Sequence, residues 1–99
     1  MKEKNIGKYV IVRGDRSGVF AGNLAARDGR EVKLTDCRRI WYWDGAASIS
    51  QLAIDGTNKP DVCKFPAPVK EITILDAIEI TPCTEKAEES IKAVREWKI

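Results

Sequence analysis

Arg38-Arg39-Ile40-Trp41-Tyr42-Trp43-Asp44-Gly45-Ala46-Ala47-Ser48-Ile49-Ser50-Gln51-Leu52-Ala53 runs from a strand pattern through a small-residue turn into a helix start. Two adjacent arginines and three aromatic residues fall within its first six positions. Arginine forks grip phosphate bidentately, and aromatic faces stack on nucleobases. A helix N-terminus directly downstream favours anions through its free amides. The grouping suits a nucleotide-like ligand. The competing reading is a strand that packs its tryptophans into a small core, the ordinary use of tryptophan in a domain of this size. In an extended chain Ile40 and Tyr42 share a face with Arg38, and Trp41 and Trp43 share the other with Arg39. Either face joins one arginine to large apolar surface, and the alternation leaves open which one meets a ligand.

Upstream, residues 8–13 form a β-branched run that predicts a strand, and residues 14–18 have turn composition. A second strand is expected over 19–26, where Gly22 marks a bulge or a close approach of backbones. Asp28-Gly29 is a hairpin signal. Residues 31–35 alternate polar and apolar, as a half-buried strand does, and Asp36-Cys37 interrupts the alternation as a bend before the strand over 38–43.

Downstream, Ser48 and Gln51 have capping-box spacing, and Gly56 sits where a C′ glycine ends a short helix. Residues 57–61 read as a polar loop. Pro66 and Pro68 keep residues 64–68 out of a sheet interior, so this stretch is an edge or an extended arm. Residues 71–74 and 77–80 predict two strands or one bent one. Thr84 can cap a terminal helix with Glu85, Glu88 and Glu89 in its first turns. Its apolar stripe is Ala87, Ile91, Val94 and Trp97 or Lys98. The expected class is α+β, a bent antiparallel sheet with a short inserted helix and a C-terminal helix.

At 99 residues the chain is expected to be a single domain, 1–99. A net charge of +2 argues against a general polyanion binder. No apolar run approaches the ~18–20 residues that span a bilayer. The opening Met1-Lys2-Glu3-Lys4-Asn5 lacks the apolar region of a signal peptide, so a cytosolic protein is expected. Cys37, Cys63 and Cys83 have neither disulfide-framework nor zinc-site spacing and read as reduced small hydrophobes. The absence of histidine removes Ser-His-Asp and Cys-His chemistry, most zinc sites and the commonest general base. No P-loop, GxGxxG, GxSxG or HExxH pattern appears. An enzyme is the disfavoured class, and neither cofactor nor metal is expected.

The segment RRIWYWDGAASISQLAIDG over 38–56 resembles a family of small bacteriophage proteins. The likeness continues through KYVIVR at 8–13, SGVFAG at 17–22, CKFPAPVKEI at 63–72 and PCTEKAEESIKAVREWK at 82–98. It covers nearly the whole chain. That family looks like the phage anti-Thoeris sponges, which enclose glycocyclic ADP-ribose signals made by bacterial TIR proteins. The resemblance implies tight capture of a cyclic nucleotide without cleavage, at sites between the subunits of a dimer, hexamer or other homo-oligomer. It also implies a second class of site for cyclic oligonucleotides in some members, and work in the cytoplasm of an infected host.

Such a ligand presents a pyrophosphate, an adenine face and ribose hydroxyls. For the pyrophosphate the candidates are Arg38, Arg39, Arg13 and the Ser17-Gly18 turn, with Arg95 a further cation that can instead complement the helix dipole. For the adenine they are Trp41, Trp43, Phe20 and Phe65. For the hydroxyls they are Asp44, Ser48, Ser50, Gln51 and Asn58. Each has a structural counterpart: Ser48 is foremost a helix cap, and Arg13 can simply be solvated. Phe65, in an irregular arm, is expected to fill a partner subunit or cover a pocket. Trp97 is expected to anchor an interface or the core. Two other functions fit the composition, a single-stranded nucleic-acid binder and a protein-inhibitor or assembly domain.

Overall fold

The computed structural model describes residues 3–99; Met1 and Lys2, part of the polar opening stretch, lie outside the described residues. Five strands, β1 (Tyr9–Gly14), β2 (Val19–Asp28), β3 (Glu31–Arg39), β4 (Val69–Ile74) and β5 (Ala77–Pro82), form one antiparallel sheet. Their order is β4-β3-β2-β1-β5. Helix α1 (Ile49–Asp55) lies in the connection from β3 to β4, and helix α2 (Glu85–Ala93) follows β5. The architecture is the α+β arrangement expected, a bent antiparallel sheet with a short inserted helix and a C-terminal one.

β1 explains the layering. Tyr9, Val10, Ile11 and Val12 are all buried, so both faces of this central strand are covered. Tyr9 and Ile11 join Ala21, Ile40, Leu52, Phe65 and Ile91 in a cluster between the sheet and the helices. Val10 and Val12 join Phe20, Leu24, Val32, Leu34, Cys37 and Ile74 in a second cluster built entirely from strands and the Cys37 bulge. A sheet can bury its second face without another layer only by curling over itself, and bulges supply the curvature.

One bulge decides the site. Ala21 pairs with Arg38 and Asn23 with Thr35, leaving Asp36 and Cys37 together opposite Gly22. Asp36 takes a left-handed φ of 45°. A Cβ on Gly22 would stand 2.4 Å from the Cys37 Cβ and 2.9 Å from its Cα, so only glycine admits the extra residue. The side-chain period of a strand is two, and the inserted residue inverts it. Val32 and Leu34 face the strand-only cluster, yet beyond the bulge it is the odd residues, Cys37 and Arg39, that face it. Arg38 and Ile40 turn toward the helices.

The expected strand over 38–43 stops at Arg39. Ile40 still donates to the Val19 carbonyl, and Tyr42 makes only an isolated bridge to Lys64. α1 starts and ends as read, with Ser48 accepting from the Gln51 amide and Gly56 at its C-terminus. The Gln51 side chain accepts from Ala47 instead of the Ser48 amide. α2 is capped by Thr84 but ends at Ala93, so Trp97 lies beyond the helix and not on its stripe. Phe65 is fully buried in its own chain, against the expectation of a partner or pocket-covering role. It lies in the helix-side cluster because residues 64–65 run beside both Tyr42 and Glu96.

Candidate functional site

The β1–β2 loop and the β4–β5 turn meet at one end of the sheet. The Asp76 carboxylate accepts from the Arg16 amide at 2.8 Å, the Ser17 amide at 3.0 Å and the Ser17 hydroxyl at 2.5 Å. The Ser17 hydroxyl, with the Arg16 amide next, holds the Asp76 carboxyl below the usual aspartate range. In turn the Ser17 carbonyl accepts from Arg39 Nη1 at 2.6 Å. A chain of bonds thus runs from the turn through the loop to the guanidinium on β3. Gly18, at φ +108°, lets the loop close over that guanidinium: a Cβ there would approach Arg39 Nη1 to 3.3 Å.

Beside this chain of bonds opens a cleft of about 510 Å³, lined by Arg16, Ser17, Phe20, Arg39, the last residues of β4, and Asp76 and the exposed Leu75 of the following turn. Phe20 is 1 % exposed and lies beneath Arg39, whose guanidinium carbon is 4.4 Å from the ring centroid. The flat surface open to a ligand is therefore the guanidinium plane, and the ring is its support. Guanidinium planes stack on bases as aromatic rings do. The Arg16 guanidinium has no hydrogen-bonding or ion-pair partner among the described residues, which leaves it available to an anion.

Of the residues expected to bind ligand, Arg39, Ser17, Gly18 and Phe20 come together here, with Phe20 corrected from platform to floor. The others do not. Arg38 is 3 % exposed and points the opposite way. It donates to the carbonyls of Phe65, Pro66, Ile91 and Val94, closing the C-terminus of α2 and fastening the arm, with Phe65 beneath it at 5.4 Å. Burial lowers its basicity, but its hydrogen bonds are complete and none is left for phosphate.

Arg13 pairs with Glu79 at 3.1 Å on the surface. Trp43 packs partly buried on the helix-side cluster. Asp44 holds the turn before α1, accepting from Gly45 at its carboxylate and from Thr57 at its carbonyl. Ser48 and Gln51 are spent on capping. With seven residues, α1 is too short to serve as an anion-binding helix end. Ser50 and Asn58 are exposed and outside the cleft. Trp41 is 64 % exposed without lining the cleft, and Arg95 borders a separate small cavity beside Trp97.

Arg16 and Asp76 are the residues that the sequence reading missed. Arg16 adjoins the Ser17-Gly18 turn and could have been drawn in with it. Asp76 carries no signal of its own, because its role depends on strands far apart in sequence. The carboxyl that accepts the Ser17 hydroxyl is held below its usual range, which makes it a weaker base toward that hydroxyl. Among the described residues no three His, Cys, Asp or Glu side chains gather to hold a metal ion. What the arrangement can do is bind a flat, anionic molecule.

Residues 7–91 match the family described as a domain of unknown function, DUF6948, and the chain belongs to that family. No curated protein matches it. Among solved structures it is similar to the SmAP1 heptamer of P. aerophilum and to a heptameric archaeal Sm protein described for its implications for the eukaryotic snRNP core. Each is 20 % identical with a TM-score of 0.51, covering 81 % of this chain and 84 % and 91 % of the other, respectively. At that identity the likeness is one of fold.

Proposed function

We propose that this DUF6948 protein is a non-enzymatic binder that captures a phosphorylated nucleotide signal in the Arg39 cleft. The signal is of the cyclic ADP-ribose type held by the anti-Thoeris sponges that the sequence resembles, and the protein acts for a phage inside its host. The observation that carries the reading is the convergence of Arg39, Arg16 and the Ser17-Gly18 turn on one apolar-floored cleft. The adenine stacks on the guanidinium of Arg39, Arg16 takes the pyrophosphate, and the exposed Leu75 covers the ribose. Capture needs a slow off-rate and no general base, so a chain without histidine loses nothing. No helix is long and apolar enough to cross a membrane among the described residues.

Assembly into a homo-oligomer belongs to the same reading. β4 and β5 each use only one edge, toward β3 and β1, and the other edges meet no strand among the described residues. Open edges recruit further strands. A β4 edge laid against the β5 edge of the next copy is a head-to-tail contact, the kind that builds a ring when the rotation between copies closes. The two solved neighbours are heptamers. Such a contact would set a second chain beside β4, the wall of the cleft.

The test is thermal shift and calorimetry with glycocyclic ADP-ribose. The expected result is a raised melting temperature and intact ligand after denaturation, with the response lost in Arg39→Ala and kept in Arg13→Ala. Absence of any shift, or recovery of a cleaved product, overturns the proposal.

A further inference from the structure

Three extended segments lie side by side at the helix end of the molecule. Tyr42 bridges Lys64 antiparallel, and Phe65 bridges Glu96 in parallel. The Tyr42 amide donates to the Lys64 carbonyl, the Lys64 amide to the Tyr42 carbonyl at 2.8 Å, and the Trp97 amide to the Phe65 carbonyl at 2.9 Å. Arg38 grips the same arm through the Phe65 and Pro66 carbonyls. The backbone is thus held firmly while two large rings project into water: Tyr42 is 48 % and Trp97 44 % exposed.

The Lys64 ammonium sits between them, 6.0 Å from the Tyr42 centroid and 5.6 Å from that of Trp97. It has no carboxylate partner among the described residues. A cation–π contact at an exposed site is weak and a lysine stem is flexible, so the cover is easily moved. A cationic ligand would have to expel this ammonium. A ligand carrying a flat ring beside an anion would take the ring faces and leave Lys64 a better partner than it now has.

We propose that Tyr42, Lys64 and Trp97 form a second binding site, separate from the Arg39 cleft, that stacks the base of a nucleotide on its rings and holds the phosphate with Lys64. Base–aromatic stacking of this kind tolerates any base. The nucleotide can be free or a unit of a single strand, and the chemistry is shared.

The experiment titrates the whole protein at low salt with AMP, read by tryptophan fluorescence, and with a short labelled oligodeoxyadenylate, read by polarisation. Binding is expected to weaken at least tenfold in Trp97→Ala and in Lys64→Ala, and to stay unchanged in Arg13→Ala, a surface arginine outside both sites. Trp97 lies outside every helix and strand, and circular dichroism melts verify that its variant folds; Tyr42→Ala repeats the test from the other ring. Binding of the oligonucleotide alone assigns the site to single strands, and binding of AMP as well assigns it to free nucleotide. If neither binds, or if the ring and lysine variants bind like the wild type, the proposal fails. It also fails if Trp97→Ala only dissociates an oligomer with no nucleotide bound.

Discussion

Arg39 stacks its guanidinium 4.4 Å from the ring centroid of Phe20 and donates Nη1 to the Ser17 carbonyl at 2.6 Å. One residue earlier, Arg38 is turned through the sheet and sealed under the C-terminus of α2. Consecutive arginines therefore do unlike work, one facing a cleft and one fastening the interior.

Truncation separates the two roles. Arg38→Met removes the donors to four carbonyls, of which those of Phe65 and Ile91 keep a backbone amide while those of Pro66 and Val94 lose their partner, and is expected to cost about 3 kcal/mol in urea unfolding. Arg39→Met gives up one bond and one partly exposed stack, about 1 kcal/mol. Equal losses would contradict the division of labour.

The bulge yields a pair of opposite effects. Gly22→Ala drives a Cβ into Cys37, whose backbone is held by its pairing with Val69 of β4 and by the paired Arg38 beside it, and is expected to destabilise by about 2–3 kcal/mol. Asp36→Gly removes the left-handed strain of an exposed residue and is expected to stabilise by about 0.5–1 kcal/mol. Both are read from denaturant midpoints.

How much of this was legible follows from the same bulge. Ser48, Gly56 and Thr84 announced the helix ends, Asp28-Gly29 its hairpin, and Gly22 the close approach, because each is a local requirement written at its own position. Asp36-Cys37 was visible as a bend, but whether it added a residue to the ladder was not. That single count fixes which arginine meets the cleft. Phe65 and Asp76 were beyond reach for another reason: their partners, Arg38 and Ser17, are 27 and 59 residues away.

Asp76 ties loop to turn only as a carboxylate. Its pKa is lowered in the folded state from the ordinary 3.8, foremost by the Ser17 hydroxyl. Its contribution is therefore complete above that ordinary value and fades as pH falls through the lower folded one. Asp76→Asn should melt below the wild type at neutral pH, and the two curves should converge in acid. A constant gap down to strongly acidic pH would show that the bonds do not depend on charge.

Burial pushes the Cys83 thiol up to about 12 and raises Cys37 as well. At pH 8 both stay protonated, and the thiolate is the reactive form. A thiol reagent should label them slowly in the native protein and at ordinary rates in urea. Fast native labelling of Cys83 would mean that α2 opens readily.

β1 is an interior strand of the finished sheet, buried on both faces, yet one of its two neighbours, β5, lies at Ala77–Pro82, and the carbonyls that receive Arg38 reach as far as Val94. During synthesis the ribosome releases the first three strands long before either. Until the last turn of α2 has left the exit tunnel, the nascent chain carries an arginine with nowhere to go, and until β5 has emerged it carries a bare edge along β1. Chaperone engagement and aggregation risk should therefore concentrate in that interval, and truncations that remove residues 91–94, and with them two of the carbonyls that hold Arg38, should behave as unfinished proteins and not as shorter ones.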